Sequence, residues 1–114
     1  MNKDRDFVIY LQDMLESTVK GISFIENMSY QDFSSDEKTQ YAIIRAIEVI
    51  GEASTKIPKE IKSKFSQIPW REVSRMHNKL IHDYFGVNLE VVWKTGQEDL
   101  PTLKLQLEQI LSAL

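Results

Sequence analysis

The sequence predicts an all-α fold, a single domain over residues 1–114 with four main helices and one or two short extra helices. Apolar residues recur every three or four positions through most of the chain. Four glycines and three prolines supply few turns, which argues against a sheet of hairpins. The apolar faces are broad for a chain of 114 residues, so we expect the bundle to dimerise.

The first helix is predicted from about Asp4 to Asn27. Steps of three and four residues separate the members of its apolar face, which are Val8, Leu11, Leu15, Thr18, Ile22 and Ile25. Gly21 lies within this helix at some loss of helix propensity. The next stretch, "MSYQDFSSD", is predicted to be a loop or a short turn, because serine and aspartate favour caps over helix interiors.

A second helix is predicted to start near Asp36. Four residues mark its main apolar face: Ile43, Ile47, Ile50 and Ser54. Arg45 and Glu48 are three apart on this helix, and we expect them to form a buried polar pair with a structural role.

Three prolines divide the rest of the chain. Pro58 is predicted to open a short helix, and Pro69 a longer one that ends at Gly86. Pro101 separates two apolar runs, so we expect either a kink or two consecutive helices there.

Composition restricts the possible functions. The net charge is −3, so any binding of nucleic acid needs a local basic patch. The absence of cysteine excludes disulfides, a thiolate nucleophile and a cysteine metal site. The charged start of the chain predicts no signal peptide, and no apolar run reaches the roughly 18 residues of a membrane helix. We therefore expect a cytoplasmic protein.

The stretch "SRMHNKLIHDYFG" holds both histidines of the chain, His77 and His82. An imidazole can take or give a proton near neutral pH, and arginine binds phosphate oxygens. A base for the 2′-hydroxyl, a cation for the phosphate and an acid for the leaving oxygen are together sufficient to cleave RNA. This chemistry needs no metal and no cofactor.

Helical spacing decides which of these groups can cooperate. Arg75 and His82 are seven apart, about 20° out of line, whereas His77 and His82 are about 140° apart. Arg75 with His82 is therefore the better pair within one subunit. Across a two-fold axis, His77 or Arg75 of one chain could meet His82 of the other. The five-residue spacing of the histidines also disfavours a metal site.

Less specific interpretations exist for the neighbours of the histidines. Arg71 and Lys79 are candidate RNA-binding cations, but the same residues suit a solvated helix face. A tyrosine such as Tyr84 more often belongs to a core or an interface than to a functional site, and His77 could be exposed or packed without a role.

Three stretches of the sequence resemble the HepT-like branch of the HEPN superfamily: "DMLES…ISFIENMSYQDF", "DEKTQYAIIRAIEVIGEASTKIP" and "IPWREVSRMHNKLIHDYFGVNLEVVWKTGQEDLPTLKLQLEQIL". The resemblance extends from about Asp4 to Leu111. It implies an up-and-down four-helix bundle that forms a homodimer, with the motif helices of both subunits facing one cleft. It also implies the toxin of a toxin–antitoxin pair, a metal-independent ribonuclease acting on tRNA or mRNA. The implied partner is a minimal nucleotidyltransferase antitoxin, which silences the toxin by transferring AMP to the motif tyrosine.

The family motif is arginine, four residues, histidine, one residue, tyrosine. By this resemblance His82 is the catalytic acid or base and Tyr84 is the AMP acceptor. His77 stands at the arginine position, while Arg75 fits the longer spacing of the wider superfamily. Either Arg75 substitutes, or His77 is a second acid or base, or the chain is a weakened module that binds the nucleotidyltransferase without significant ribonuclease activity. Besides the ribonuclease and the weakened module, a third hypothesis is a helical dimerisation domain with no RNA role.

Overall fold

A computed structural model describes residues 3–75 and 88–114, and every regular element within these ranges is helical. In chain order the elements are α1 (Lys3–Phe24), α2 (Tyr30–Ser34), α3 (Glu37–Ser54), α4 (Lys59–Lys64), α5 (70–75), α6 (Leu89–Lys94), a π-helical segment (Thr95–Asp99) and α7 (Leu100–Ala113). Helix α1 packs chiefly against α3 and α7. The all-α prediction is confirmed. Residues 76–87, predicted to continue α5, lie outside the described residues.

The core is centred on α1. Its buried line consists of Phe7, Leu11, Met14, Thr18, Gly21 and Ile25. The predicted face is therefore only half right, because Val8, Leu15 and Ile22 are half-buried at the edge of the core. The apolar stripe of α1 is wide, and its centre is the side that carries Gly21, which packs against Leu100 of α7.

The opposing helices bury the residues that their spacing predicted. In α3 the buried set includes Ile43, Ile47, Ile50 and Ser54, and in α7 it is Leu100, Leu103, Leu107 and Ile110. The hydroxyls of Thr18 and Ser54 are buried without penalty, because they donate to the carbonyls of Met14 at 2.7 Å and Gly51 at 2.6 Å.

Local hydrogen bonds explain where α2 and α3 begin. The Ser29 side chain accepts from the Asp32 N–H at 3.1 Å, and the Asp32 carboxylate accepts from the Ser29 N–H at 3.2 Å. This capping box stabilises a five-residue helix where a loop or short turn was predicted. Asp36 caps α3 as expected, accepting the Thr39 N–H at 3.1 Å.

Helix α1 ends three residues earlier than predicted. The chain turns after Phe24, and Asn27 adopts a left-handed conformation with φ 65°. Asparagine tolerates this conformation better than most residues, so it suits the reversal towards α2.

The chain from Leu89 to Ala113 runs through consecutive helical segments. The break predicted at Pro101 is a π-helical segment just before it, in which the Leu100 N–H bonds to the Thr95 carbonyl. Proline has no N–H, and its ring would clash with the carbonyl four residues back in a regular helix. The two segments nevertheless continue into one another through the π turn.

The expected buried pair of Arg45 and Glu48 is wrong. The Arg45 side chain is 72% exposed, and its Nη1 lies 3.9 Å from Glu48 Oε1. Position 45 points away from the α3 face that carries Ile43 and Ile47, so this is a solvated surface pair of little energetic weight.

Within the described ranges, none of the helices is both long enough and apolar enough to cross a membrane.

Candidate functional site

The described part of the site begins at the corner between α4 and α5. The Ile68 side chain is buried, and the Trp70 indole Nε1–H donates to the Phe65 carbonyl at 3.1 Å. The Lys62 ammonium lies 5.7 Å from the centroid of the Trp70 ring. Pro69 precedes the first helical residue, which agrees with the predicted start of this helix. These contacts fix the direction in which α5 leaves the corner.

Two of the predicted site residues, Arg71 and Arg75, lie on the described turn and a half of α5. Both are exposed, and their four-residue spacing places them on one side of the helix. Arg75 Nη1 is 4.0 Å from Glu72 Oε1, and both side chains are more than 60% exposed. Such an ion pair is weak in water. The guanidinium of Arg75 can therefore leave Glu72 and bind a phosphate at little cost in free energy.

The other predicted site residues are His77, Lys79, His82 and Tyr84, and they lie outside the described residues. The pairing of Arg75 with His82 and the role of His77 therefore stay predictions. Among the described residues, no group of three or more histidine, aspartate or glutamate side chains is placed to hold a metal ion.

A cleft separates the start of α5 from the start of α7. Its volume is about 390 Å³, and its walls include Glu72, Val73, Asp99 and Leu103. Beside it the Gln106 side-chain amide donates to the Gln67 carbonyl at 2.8 Å, which ties the corner to α7. Sequence spacing could not indicate this approach, since the two glutamines are 39 residues apart.

Asp99, one of the acids that line this cleft, has a shifted pKa. Burial raises the pKa of the Asp99 carboxyl, and the negative charges of Glu98 and Glu72 raise it further, against the opposing effect of Lys94. The Asp99 carboxyl therefore binds a proton more readily than a carboxyl in open solvent does.

Four lysines in and just before α4 were not among the predicted site residues. Lys56, Lys59 and Lys64 are exposed, and Lys62 is half-buried against Trp70. A signal was available, because four lysines within nine residues are unusual in a chain whose net charge is −3.

Comparison with known proteins identifies relatives along nearly the whole chain. A family model described as "Ribonuclease HepT-like" matches residues 14–110. The "Probable ribonuclease HepT" of Thermococcus cleftensis is 48% identical over 101 residues, which cover 89% of this chain and 92% of the relative.

Relatives of lower sequence identity are also named as ribonucleases. A "Putative RNase" of Methanocaldococcus jannaschii is 43% identical over 107 residues, covering 94% of this chain and 88% of the relative. Another, from Caldanaerobacter subterraneus, is 39% identical over 102 residues, covering 90% and 91%. No solved structure matches the chain at a significant level. This chain belongs to the Ribonuclease HepT-like family.

Proposed function

We propose that this protein is a metal-independent endoribonuclease, the toxin of a toxin–antitoxin pair, and that it acts on tRNA or mRNA. The observation that carries the proposal is its membership of the Ribonuclease HepT-like family over residues 14–110, with relatives named as ribonucleases. The stretch "HNKLIHDYF" adds the histidine and tyrosine that this chemistry and its control require.

The proposed reaction is an internal transfer within RNA. His82 takes the proton of a 2′-hydroxyl, whose oxygen attacks the adjacent phosphorus. The bond to the 5′-oxygen breaks, that oxygen gains a proton, and a 2′,3′-cyclic phosphate remains. A cation stabilises the negative charge that develops on the phosphorane. The exposed and weakly paired Arg75 suits this task, with His77 as a second acid or base.

The proposed control is covalent. A nucleotidyltransferase antitoxin transfers AMP from ATP to the Tyr84 hydroxyl and releases pyrophosphate. The new phosphodiester is negatively charged, so it repels RNA and occupies space near His82. We further propose that the toxin is a cytoplasmic homodimer, in which the motif segments of two chains share one cleft.

A second candidate function follows from His77, which stands where the family motif has arginine. An imidazole carries one charge, only below its pKa, and lacks the forked donors of a guanidinium. On this candidate the protein binds the nucleotidyltransferase but cleaves RNA poorly.

The test is cleavage of total tRNA by the unmodified protein in EDTA, with intact mass confirming that Tyr84 carries no AMP. We expect the wild type to cleave and His82→Ala to lose at least about 100-fold in rate, the usual contribution of an acid or base. Circular dichroism checks that the variant remains folded. Cleavage by His82→Ala at the wild-type rate would contradict the role of His82.

The same assay separates the two candidate functions. If the wild type is inactive and His77→Arg cleaves, the second candidate holds. If the wild type cleaves and His77→Arg gives no further gain, an arginine at position 77 is dispensable for cleavage.

A further inference from the structure

We propose that six cations at the junction of α4 and α5 form a docking surface for the sugar-phosphate backbone of RNA. These residues, called here the basic corner, are Lys56, Lys59, Lys62, Lys64, Arg71 and Arg75. The choice of RNA as the partner rests on the proposed ribonuclease function.

Charge is concentrated in the basic corner. Residues 56–75 contain six cations and two acids, a net charge of +4, while the whole chain has −3. All other residues together therefore carry −7. A polyanion is repelled by most of this molecule and attracted to this one segment, so the field orients its approach.

The cations of the basic corner are open to solvent. Five of the six side chains are exposed, and only Lys62 is half-buried. Among the described residues, the ion pairs within 4.0 Å include one member of this set, Arg75 with Glu72. Because the others make no such pair with a described acid, binding phosphate does not first require breaking one.

The basic corner is also held in place. Trp70 bonds to the Phe65 carbonyl, and Gln106 of α7 bonds to the Gln67 carbonyl. The Ile68 side chain between them is 1% exposed. A surface that is already ordered loses less entropy on binding than a mobile loop would.

Aromatic rings lie among the lysines and favour a nucleic acid over an acidic protein. Phe65 and Trp70 are half-buried, with lysine ammonium groups 5.8 Å and 5.7 Å from their centroids. Proteins that bind single strands combine cations for the backbone with aromatic faces on which bases stack. Arg71 and Arg75 extend the same charge along α5 towards the histidine motif.

The test measures binding of a fluorescein-labelled, 20-nucleotide single-stranded RNA of mixed sequence by fluorescence anisotropy. The double variant Lys59→Gln with Lys64→Gln and its control variant are made in the full chain carrying His82→Ala, which keeps the RNA intact. We expect Lys59→Gln with Lys64→Gln to weaken binding roughly 10- to 30-fold at about 0.1 M salt, and to reduce the slope of log K against log salt by about 1.4. Glutamine preserves helix propensity, so the fold should be retained, as circular dichroism can verify.

The matched control removes the same charge elsewhere. Lys20 and Lys38 are exposed lysines in α1 and α3. Lys38 lies at the start of α3, about 24 Å along the helix axis from the end that leads into α4. Replacing both with glutamine should change RNA affinity by no more than about twofold, apart from the general effect of net charge.

The outcomes separate this inference from the proposed function. Equal losses in the two variant pairs, or no loss in either, would overturn the docking surface. If the Lys59 and Lys64 variant keeps its RNA affinity but loses binding to the nucleotidyltransferase, the RNA-docking proposal is overturned. The basic corner would then be assigned to the protein partner. A wild type that binds RNA through Lys59 and Lys64 but never cleaves it would support the docking surface while contradicting the ribonuclease proposal.

Discussion

Two glycines set how closely the central helices approach. A Cβ at Gly21 would lie 2.8 Å from Leu100 Cδ1, and one at Gly96 would lie 2.6 Å from Ile25 Cδ1 and 2.7 Å from Ile43 Cδ1. The sequence indicated only that Gly21 lowers helix propensity. Its packing role was not predictable, because the contact joins residues about 80 positions apart.

Gly96→Ala should destabilise the protein more than Gly21→Ala does. The new methyl at position 96 meets two buried side chains, and overpacking of this kind costs about 1–3 kcal/mol. The gain in helix propensity, about 1 kcal/mol, offsets part of this loss. At Gly21 one flexible leucine methyl must move, so we expect a net change near zero. Urea unfolding of both variants gives the comparison.

A double-mutant cycle tests the cause of the Gly96 effect. Ile43→Val removes one of the two Cδ1 atoms that the new methyl would meet, and the Cδ1 of Ile25 remains. If crowding is the reason, Gly96→Ala should be less harmful beside Ile43→Val than alone. Strict additivity of the two changes would point instead to the backbone of the π-helical segment.

At the scale of elements, apolar periodicity and capping residues predicted most of the helices. The starts of α3 and α6 follow from Asp36 and Asn88, whose side chains accept backbone N–H groups. Helix α2 was missed because serine and aspartate suggest both a turn and a capping box. The π-helical segment was missed because a proline at position 101 is compatible with a kink, two consecutive helices or a π turn, and local spacing does not choose among them.

The cap of α3 should make stability depend on pH. A hydrogen bond from the Thr39 hydroxyl at 2.8 Å, with a second from its backbone N–H, lowers the pKa of Asp36 below 3.8. The folded state therefore favours the carboxylate. This contribution is present above the unfolded pKa and is lost as the pH falls through the folded pKa.

Asp36→Ala should lower the midpoint of thermal unfolding by a few degrees at pH 7, with the gap to wild type narrowing below about pH 4. Asp36→Asn retains a good cap without the charge, so it should unfold close to the wild-type midpoint at pH 7. Calorimetry at a series of pH values checks both. A gap that stays constant down to pH 2 would contradict the role of the carboxylate charge.

At the scale of the whole molecule, the sequence predicted the fold class and the family more securely than the site. Residue types in "SRMHNKLIHDYFG" indicated phosphate and proton-transfer chemistry, and the family match supports that reading. Of the basic corner, the sequence analysis predicted Arg71 and Arg75 but not the four lysines, although their charge is visible in the sequence. Recognising it required Trp70 and Gln106 to be placed, because they join α4, α5 and α7.

The apolar surface of the molecule predicts that two chains assemble. A monomer has a mass of 13.3 kDa and leaves large apolar side chains exposed, among them Tyr41 at 66% and Leu105 at 62%. Light scattering should therefore give about twice the monomer mass at micromolar concentration. If the proposed cleft between the motif segments of two chains needs groups from both, specific activity should fall when dilution shifts the protein to monomer. Labelled RNA should then be cleaved more slowly per chain. A monomer with full activity would contradict the shared cleft and require Arg75 and His82 of one chain to complete the reaction.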